Sequence, residues 1–300
     1  MALSHISGVF AAALTPLKSD FSPDLEAIPE FLNFLAGRGC HGALLLGTTG
    51  EGPSFSPPQR EAIYQAAARV REVHPDFTLL AGTGTPSLEE TTSLTRCAFE
   101  LGFEGVLVLP PYYYRNVTEE GLFRWYEGVI QQAVPAGGAL FGYHIPAVSG
   151  VPLSLALLSR LKDAFPEQFY GIKDSSGNAE HARQLGERFG KNLAVLTGND
   201  RLFTLALENS ASGCITAAAN LISPILRKIW DAYQAGSPDT AAQERATSIR
   251  EKMDRFQPFP PLLKTLLAAH FNFPRWPVSP PLMALSEAAA QTATEEIELL

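Results

Sequence analysis

The sequence predicts an α/β fold, a closed (β/α)8 TIM barrel followed by a helical C-terminal region. Eight short apolar segments recur along the 300 residues, and segments with helical apolar spacing lie between them. Chains of this length commonly form one α/β barrel. With 46% apolar residues, the chain can also bury a large core.

Each predicted strand is rich in aliphatic residues or Phe and ends at small or polar residues. The eight segments are 8–16, 42–51, 77–85, 105–114, 138–146, 169–177, 193–200 and 213–220. Every connection is long enough to hold a helix, which favours parallel pairing. An open doubly wound sheet would be supported by a G-x-G-x-x-G motif after the first strand, but GVFAAALTP contains none.

Start signals mark the helices between the strands. Asp24 precedes an apolar face over residues 25–35, and Ser56, Ser87 and Thr118 stand where helix caps are expected. These signals predict helices after the first four strands.

The chain is divided into a barrel over residues 1–225 and a helical region packed on it over residues 226–300. A helix over 224–233 follows the eighth strand. Pro-punctuated helical segments then follow at 240–256, 260–271 and 281–300.

The charge of the chain excludes several partners. A net charge of -8 without a basic run argues against nucleic acid and anionic membranes. The apolar N-terminal stretch lacks a basic flank and is interrupted by Gly8 and Pro16, so neither a signal peptide nor a membrane span is predicted. We expect a cytoplasmic protein.

The histidines and cysteines are spread along the chain. They form no recognised metal-ligand spacing such as H-x-x-x-H, and we therefore expect no metal site. Only His144 lies near a predicted site.

In a (β/α)8 barrel, the carboxyl ends of the strands and the loops after them form the active-site face. Candidate site residues, nearly all of them polar, follow four of the predicted strands. They are Thr48, Thr49, Gly50, Glu51, Tyr112, Tyr113, Tyr114, Tyr143 and Lys173. The barrel prediction therefore directs these side chains toward one cavity.

In the segment FYGIKDSSG alone, Lys173 could simply extend to solvent. At the mouth of a barrel it could instead be a nucleophile, for which the amine must be neutral. An ordinary lysine pKa near ~10.4 leaves roughly one amine in a few thousand neutral at pH 7, and apolar burial lowers such a pKa by up to about 3–5 units. Attack on a 2-oxo acid would give an imine that permits C–C bond formation or cleavage.

This chemistry also needs a carboxylate site and a proton carrier. The GTTG turn offers backbone N–H groups and two hydroxyls to a small carboxylate. Tyr143 can donate and accept a proton if it lies within hydrogen-bond reach.

Four motifs make the comparison specific. GTTGE at 47–51, PPYYY at 110–114, YHIP at 143–146 and GIKDSSG at 171–177 resemble the dihydrodipicolinate synthase and N-acetylneuraminate lyase family. The resemblance covers roughly residues 5–295. It implies a pyruvate-dependent class I aldolase, usually a homotetramer built from dimers, without a metal or organic cofactor.

By this resemblance, Lys173 forms the Schiff base and Tyr143 is the general acid and base. Thr48 and Thr49 bind the pyruvate carboxylate, and Thr48 also joins a proton relay. Tyr113 enters the site of the neighbouring subunit and completes that relay.

Other positions carry smaller roles. Gly50 and Ile215 are expected to contact substrate, and Tyr112 is the alternative to Tyr113 as the relay tyrosine. We expect Glu51 and Asp174 to hydrogen-bond loop backbone or a nearby cation.

The substrate is where the chain departs from its relatives. Synthases of this family resemble one another in an arginine two residues after the fifth-strand proline, where this chain has Val148. The lyases resemble one another in an acidic pair after the seventh strand, where this chain has GND followed by Arg201. They also share a serine after the eighth strand, where this chain has Ala217.

Arg201 and Asn199, with Thr216 and His144, therefore indicate a short polar acceptor such as the aldehyde of a 2-keto-3-deoxy sugar acid. A surface salt bridge is the alternative for Arg201. The alternative activity is dihydrodipicolinate synthase, with another residue replacing the missing arginine. A ligand-binding barrel without turnover is a third hypothesis, although such a protein needs no nucleophilic amine.

Overall fold

The computed structural model describes residues 6–299, in which eight parallel strands close into a barrel. The strands are β1 (Gly8–Ala12), β2 (Gly42–Leu45), β3 (Thr78–Gly82), β4 (Gly105–Val108), β5 (Ala139–His144), β6 (Phe169–Asp174), β7 (Ala194–Thr197) and β8 (Gly213–Thr216). Each strand pairs with the next one, and β8 pairs with β1. The predicted (β/α)8 barrel and all eight strand segments are confirmed.

Helices cover the barrel and continue after it. They are α1 (Ala27–Gly37), α2 (Pro57–Ala68), α3 (Leu88–Glu100), α4 (Glu119–Ala133), α5 (Pro146–Ser149), α6 (Leu155–Ala164), α7 (Ala179–Phe189), α8 (Phe203–Glu208), α9 (Ala219–Gln234), α10 (Thr240–Asp254), α11 (Phe259–Phe271) and α12 (Glu287–Glu296).

Three of the predicted helix starts are confirmed by their hydrogen bonds, whereas α1 begins at Ala27 with Glu26 at its cap position rather than directly after Asp24. Ser56 forms a capping box with Gln59 at the start of α2. Ser87 and Thr118 accept hydrogen bonds from backbone N–H groups in the first turns of α3 and α4. These contacts satisfy donors that the first helical turn would leave unpaired.

Buried side chains form two clusters, one inside the barrel and one between the strands and the helices. The inner cluster contains Phe10, Leu44, Phe141, Tyr143 and Ile215. Because side chains alternate along a strand, the same strands fill both clusters. The inner cluster forms the floor beneath the strand ends.

The C-terminal region differs in detail from the prediction. α9 begins at Ala219 rather than at 224, has a non-helical residue at Ile222 and runs across the proposed boundary at 225/226. The segment predicted at 281–300 becomes helical only at Glu287, after the cap residue Ser286. The division into two parts stays a prediction.

No helix between residues 6 and 299 is long and apolar enough to cross a membrane.

Candidate active site

The pair Tyr143 and Lys173 lies at the ends of neighbouring strands. The two residues are register partners on β5 and β6, and both side chains are buried, at 5% and 4% exposure. Lys173 Nζ donates to Tyr143 Oη over 3.3 Å and lies 4.4 Å from the centre of the tyrosine ring. Lys173 therefore does not extend to solvent.

Thr48 extends this contact into a chain of three side chains. The Thr48 hydroxyl lies 3.3 Å from Tyr143 Oη. The Glu51 N–H donates to the Thr48 carbonyl over 3.2 Å, which closes the turn after β2. The phenol of Tyr143 thus joins the lysine amine to a hydroxyl on the predicted carboxylate-binding turn.

The pKa of Tyr143 is lowered. Burial raises this pKa, but the charge of Lys173 and hydrogen bonds with Thr48, Lys173 and Ser175 outweigh burial. A more acidic phenol exchanges protons more easily near neutral pH. Ser175 was not among the predicted site residues, although the DSSG segment after Lys173 was the signal that could have identified it.

Thr49 and Gly50 complete the turn. Thr49 is buried, and the Gly50 carbonyl accepts a hydrogen bond from Thr15 Oγ1 over 2.7 Å. A Cβ on Gly50 would lie 2.7 Å from the Ala13 carbonyl oxygen, too close for any other residue without a backbone shift. The packing against β1 explains the glycine, and its contact with substrate stays a prediction.

Tyr113 and Tyr114, in the tyrosine run after β4, are exposed. Tyr113 is 76% exposed, and its ring packs edge-on against Tyr114 at 5.2 Å between ring centres. An exposed tyrosine pair can contact a second subunit. The predicted relay role of Tyr113 stays a prediction, as does the choice between Tyr112 and Tyr113.

The residues after β7 are oriented by the backbone. Asn199 Oδ1 accepts from the Arg201 N–H over 3.1 Å and caps a short helical turn. The Arg201 side chain is 41% exposed and lies 4.0 Å from Asp254 on α10. This is the predicted alternative of a surface ion pair, whereas Ile215 is fully buried in the inner cluster.

Two predicted acceptor residues have other contacts. Thr216 Oγ1 accepts from the Ala219 N–H at the start of α9. His144 follows Tyr143 on β5 and therefore lies on the outer side of the strand, where its Nδ1 accepts from the Leu153 N–H over 3.0 Å. Neither residue supports the polar acceptor site.

His144, Asp174 and His181 form an outer cluster behind Tyr143 and Lys173. One potential ligand atom from each residue lies within 4.8 Å of the others, and these residues could hold a metal ion. However, Nδ1 of His144 accepts a backbone hydrogen bond, so its Nε2 carries the proton in the neutral ring. A ligating imidazole normally donates its other N–H, so this geometry argues against a metal centre.

The sequence did not identify this cluster because His144 and His181 are far apart in the chain. Burial lowers the pKa of His144, the charge of Asp174 opposes this shift, and His181 adds to it. Asp174 also accepts a hydrogen bond from the Ser176 N–H over 3.0 Å, as expected for a residue that orders its loop.

Glu51 forms a buried ion pair with Lys264 of α11. Lys264 Nζ lies 2.6 Å from Glu51 Oε1, and the two side chains are 1% and 0% exposed. Glu51 therefore bonds a cation and backbone, as predicted, and the cation belongs to the C-terminal region.

The geometry agrees with comparisons to known proteins. The family model of the dihydrodipicolinate synthetase family matches residues 5–299. A protein of Chloroflexus aurantiacus named an uncharacterized DapA-like lyase is 37% identical over 97% of this chain and 96% of its own length. The 4-hydroxy-tetrahydrodipicolinate synthase of Corynebacterium urealyticum is 32% identical over 84% and 80% of the two chains.

A solved structure shares the whole architecture. The dihydrodipicolinate synthase of Agrobacterium tumefaciens superposes with a TM-score of 0.85 at 30% identity, covering 97% of this chain and 98% of that one. The chain belongs to the dihydrodipicolinate synthetase family. It is a lyase, a pyruvate-dependent class I aldolase of that family.

Proposed function

We propose that Lys173 forms an imine with pyruvate and that this enzyme makes or breaks a C–C bond between pyruvate and an aldehyde. The observation that carries the proposal is the chain of contacts from the buried Lys173 Nζ through the buried Tyr143 Oη to Oγ1 of the exposed Thr48, with 3.3 Å at each step. A nucleophile, a proton carrier and a hydroxyl relay thus meet at the barrel mouth.

The chemical steps balance without a metal or organic cofactor. The Lys173 lone pair attacks C2 of pyruvate, and the C2 oxygen leaves as water with one proton from the amine and one from the relay. Loss of a proton from C3 gives an enamine, whose C3 attacks the aldehyde carbon while the aldehyde oxygen takes a proton. Water then cleaves the imine, and the reverse sequence splits the product.

Each site residue has a role in this sequence. Tyr143 accepts and donates the protons, and its lowered pKa supports this role. Thr48 and Thr49 hold the pyruvate carboxylate on the turn after β2. Lys173 keeps the reacting carbon beside the phenol through the covalent bond.

We further propose that Tyr113 completes the relay of a neighbouring subunit in a cytoplasmic homotetramer. Its exposure on the loop after β4 supports a contact outside its own chain. Mixing inactive Lys173→Ala subunits with Tyr113→Phe subunits tests this role. Heterodimers would regain one intact site, and a mixture with only additive activity would contradict it.

The acceptor is proposed to be an aldehyde of the 2-keto-3-deoxy sugar acid type. Val148 is 56% exposed on α5, where it offers no charge for the carboxylate of aspartate semialdehyde. Asn199 and the half-exposed Arg201 are the residues after β7 that we propose to bind the hydroxyl groups of the acceptor aldehyde. Dihydrodipicolinate synthesis is the second candidate, because synthases are among the relatives with 30–32% identity.

Reduction with borohydride in the presence of pyruvate, followed by peptide mass mapping, tests the proposal. We expect one pyruvate adduct at Lys173 and none in the Lys173→Ala variant. An unmodified Lys173 would leave a ligand-binding barrel as the better description.

A kinetic screen then separates the acceptors. Cleavage of 2-keto-3-deoxy sugar acids is compared with the condensation of pyruvate and aspartate semialdehyde. Faster condensation would favour the synthase and contradict the argument from Val148.

A further inference from the structure

A buried cluster on the far side of the GTTG turn joins the barrel to the C-terminal region. Glu51 Oε1 accepts from Lys264 Nζ over 2.6 Å, and Glu51 Oε2 accepts from the Ser279 N–H over 2.7 Å. Lys264 Nζ also donates to the Pro277 carbonyl over 2.7 Å. Both carboxylate oxygens thus have a strong donor.

We infer that Glu51 and Lys264 are positioning residues that hold the turn of Thr48 and Thr49 in the shape that binds the pyruvate carboxylate. The inference rests on the proposed function, because it assigns a task to residues that do not touch substrate. It concerns binding of the carboxylate rather than the reactivity of the lysine amine.

The first argument is the covalent and hydrogen-bonded continuity of the turn. Glu51 directly follows Gly50, and its N–H closes the turn on the Thr48 carbonyl over 3.2 Å. A shift of the Glu51 backbone would therefore move both threonines.

The second argument is the unusual backbone of this segment. Glu51 has a φ of 56°, in the left-handed region that non-glycine residues rarely adopt. A Cβ on Gly52 would lie 2.0 Å from the Leu46 carbonyl oxygen, and one on Gly50 would lie 2.7 Å from the Ala13 carbonyl oxygen. The backbone is therefore tightly packed on both sides of Glu51. Surrounding contacts must hold such a conformation, and the anchored carboxylate supplies them.

The third argument is the position of the partners. Pro277 and Ser279 belong to the irregular segment between α11 and α12, which has no helical or sheet ladder to fix it. The ion pair clamps this segment and the turn together. A buried pair of this kind can serve geometry rather than net stability.

The test uses the full chain and compares two carbonyl compounds. Pyruvate carries a carboxylate, whereas acetaldehyde does not, and reductive trapping at Lys173 is quantified by peptide mapping for both. The variants are Glu51→Gln, which keeps the size of the side chain but removes its charge, Lys264→Met, and the two combined.

We expect the pyruvate concentration for half-maximal trapping to rise roughly tenfold or more in Glu51→Gln, as small misplacements of a binding group commonly produce. Trapping of acetaldehyde should change by less than about twofold, because the amine is untouched. The Glu51→Gln/Lys264→Met variant has no unpaired charge. If Lys264→Met fails to fold, the pyruvate and acetaldehyde trapping curves of this double variant test the positioning role instead.

Lys162→Met is the matched control. Lys162 is a half-buried lysine that donates to the Pro166 and Phe169 carbonyls at the other end of β6. This variant should leave both trapping curves unchanged. In the Glu51 and Lys264 variants, equal effects on the pyruvate and acetaldehyde curves would overturn the positioning role. Loss of thermal stability with an unchanged pyruvate curve would overturn it as well. Failure of the wild type to trap pyruvate would instead overturn the proposed function.

Discussion

Two lysines of this chain are buried to almost the same extent but have different partners. Lys173 is 4% exposed and Lys264 is 1% exposed. Lys264 contacts a carboxylate and a carbonyl, whereas the hydrogen bond of Lys173 goes to the phenol of Tyr143. Within residues 6–299, no carboxylate forms an ion pair with Lys173.

From this comparison we expect that burial alone does not make a lysine reactive. Burial lowers the pKa of Lys264, and the charge and the hydrogen bond of Glu51 oppose this shift without reversing it. The partner of Lys173 is instead a phenol, a group that can both donate and accept a proton. We therefore expect the partner to decide whether a buried lysine serves the structure or the chemistry.

The largest expected difference is in turnover. Lys173→Met should lower kcat by on the order of 10⁴-fold or more, because the covalent route is lost. Lys264→Met should still form the adduct at Lys173. Steady-state kinetics and adduct mapping check this pair, and substantial turnover in Lys173→Met would refute covalent catalysis.

The Tyr143→Phe variant should distinguish the contribution of the phenol from that of the Lys173 amine. Loss of the proton carrier is expected to reduce kcat by about 10²–10⁴-fold. Borohydride trapping at Lys173 should persist after long incubation. The role of the phenol would be wrong if single-turnover rates matched the wild type.

Lys264→Met should affect stability more than chemistry. Removing one partner of a buried ion pair leaves Glu51 uncompensated and should lower the free energy of unfolding by about 3–5 kcal/mol. Denaturant unfolding measures this loss. The Glu51→Gln/Lys264→Met variant should recover most of it, and no recovery would argue against an uncompensated charge as the cause.

The smallest expected effect comes from the outer side of the same strands, where His144 stands behind Tyr143. Its pKa is lowered in the folded state, so its stabilising contribution is complete above the ordinary value near ~6.5 and is lost as pH falls through the lowered pKa.

His144→Asn keeps an acceptor for the Leu153 N–H and should flatten the loss of stability below about pH 6.5. His74→Asn, near the start of β3 and thus at the other end of the barrel, is the control. Unfolding curves at several pH values compare the variants. If the free energy of unfolding of His144→Asn fell with decreasing pH as steeply as that of the wild type, His144 would not be the source of the loss.

Much of the fold could be predicted because its signals are local. Apolar runs followed by glycine or polar residues located all eight strands, and Ser56, Ser87 and Thr118 located helix starts. The start of α12 was predicted too early, at residue 281, because residues 282–285 are helix-forming residues. In the structure the helix begins only after the cap residue Ser286.

The site was only partly accessible from the sequence. Tyr143 and Lys173 were identified by their strand ends, and the barrel then places such ends side by side. His144 and Thr216 were assigned to an acceptor site from nearness in sequence alone. Their side chains leave the opposite side of the strand, which depends on the exact strand register.

By itself, the sequence determined the barrel, the order of its strands and the lysine, tyrosine and threonines at its mouth, because hydrophobic period and motif spacing are written along the chain. Only the tertiary structure decided which lysine has a carboxylate partner. Glu51 and Lys264 are 213 residues apart, and a contact over that separation exists only after the C-terminal region packs on the barrel.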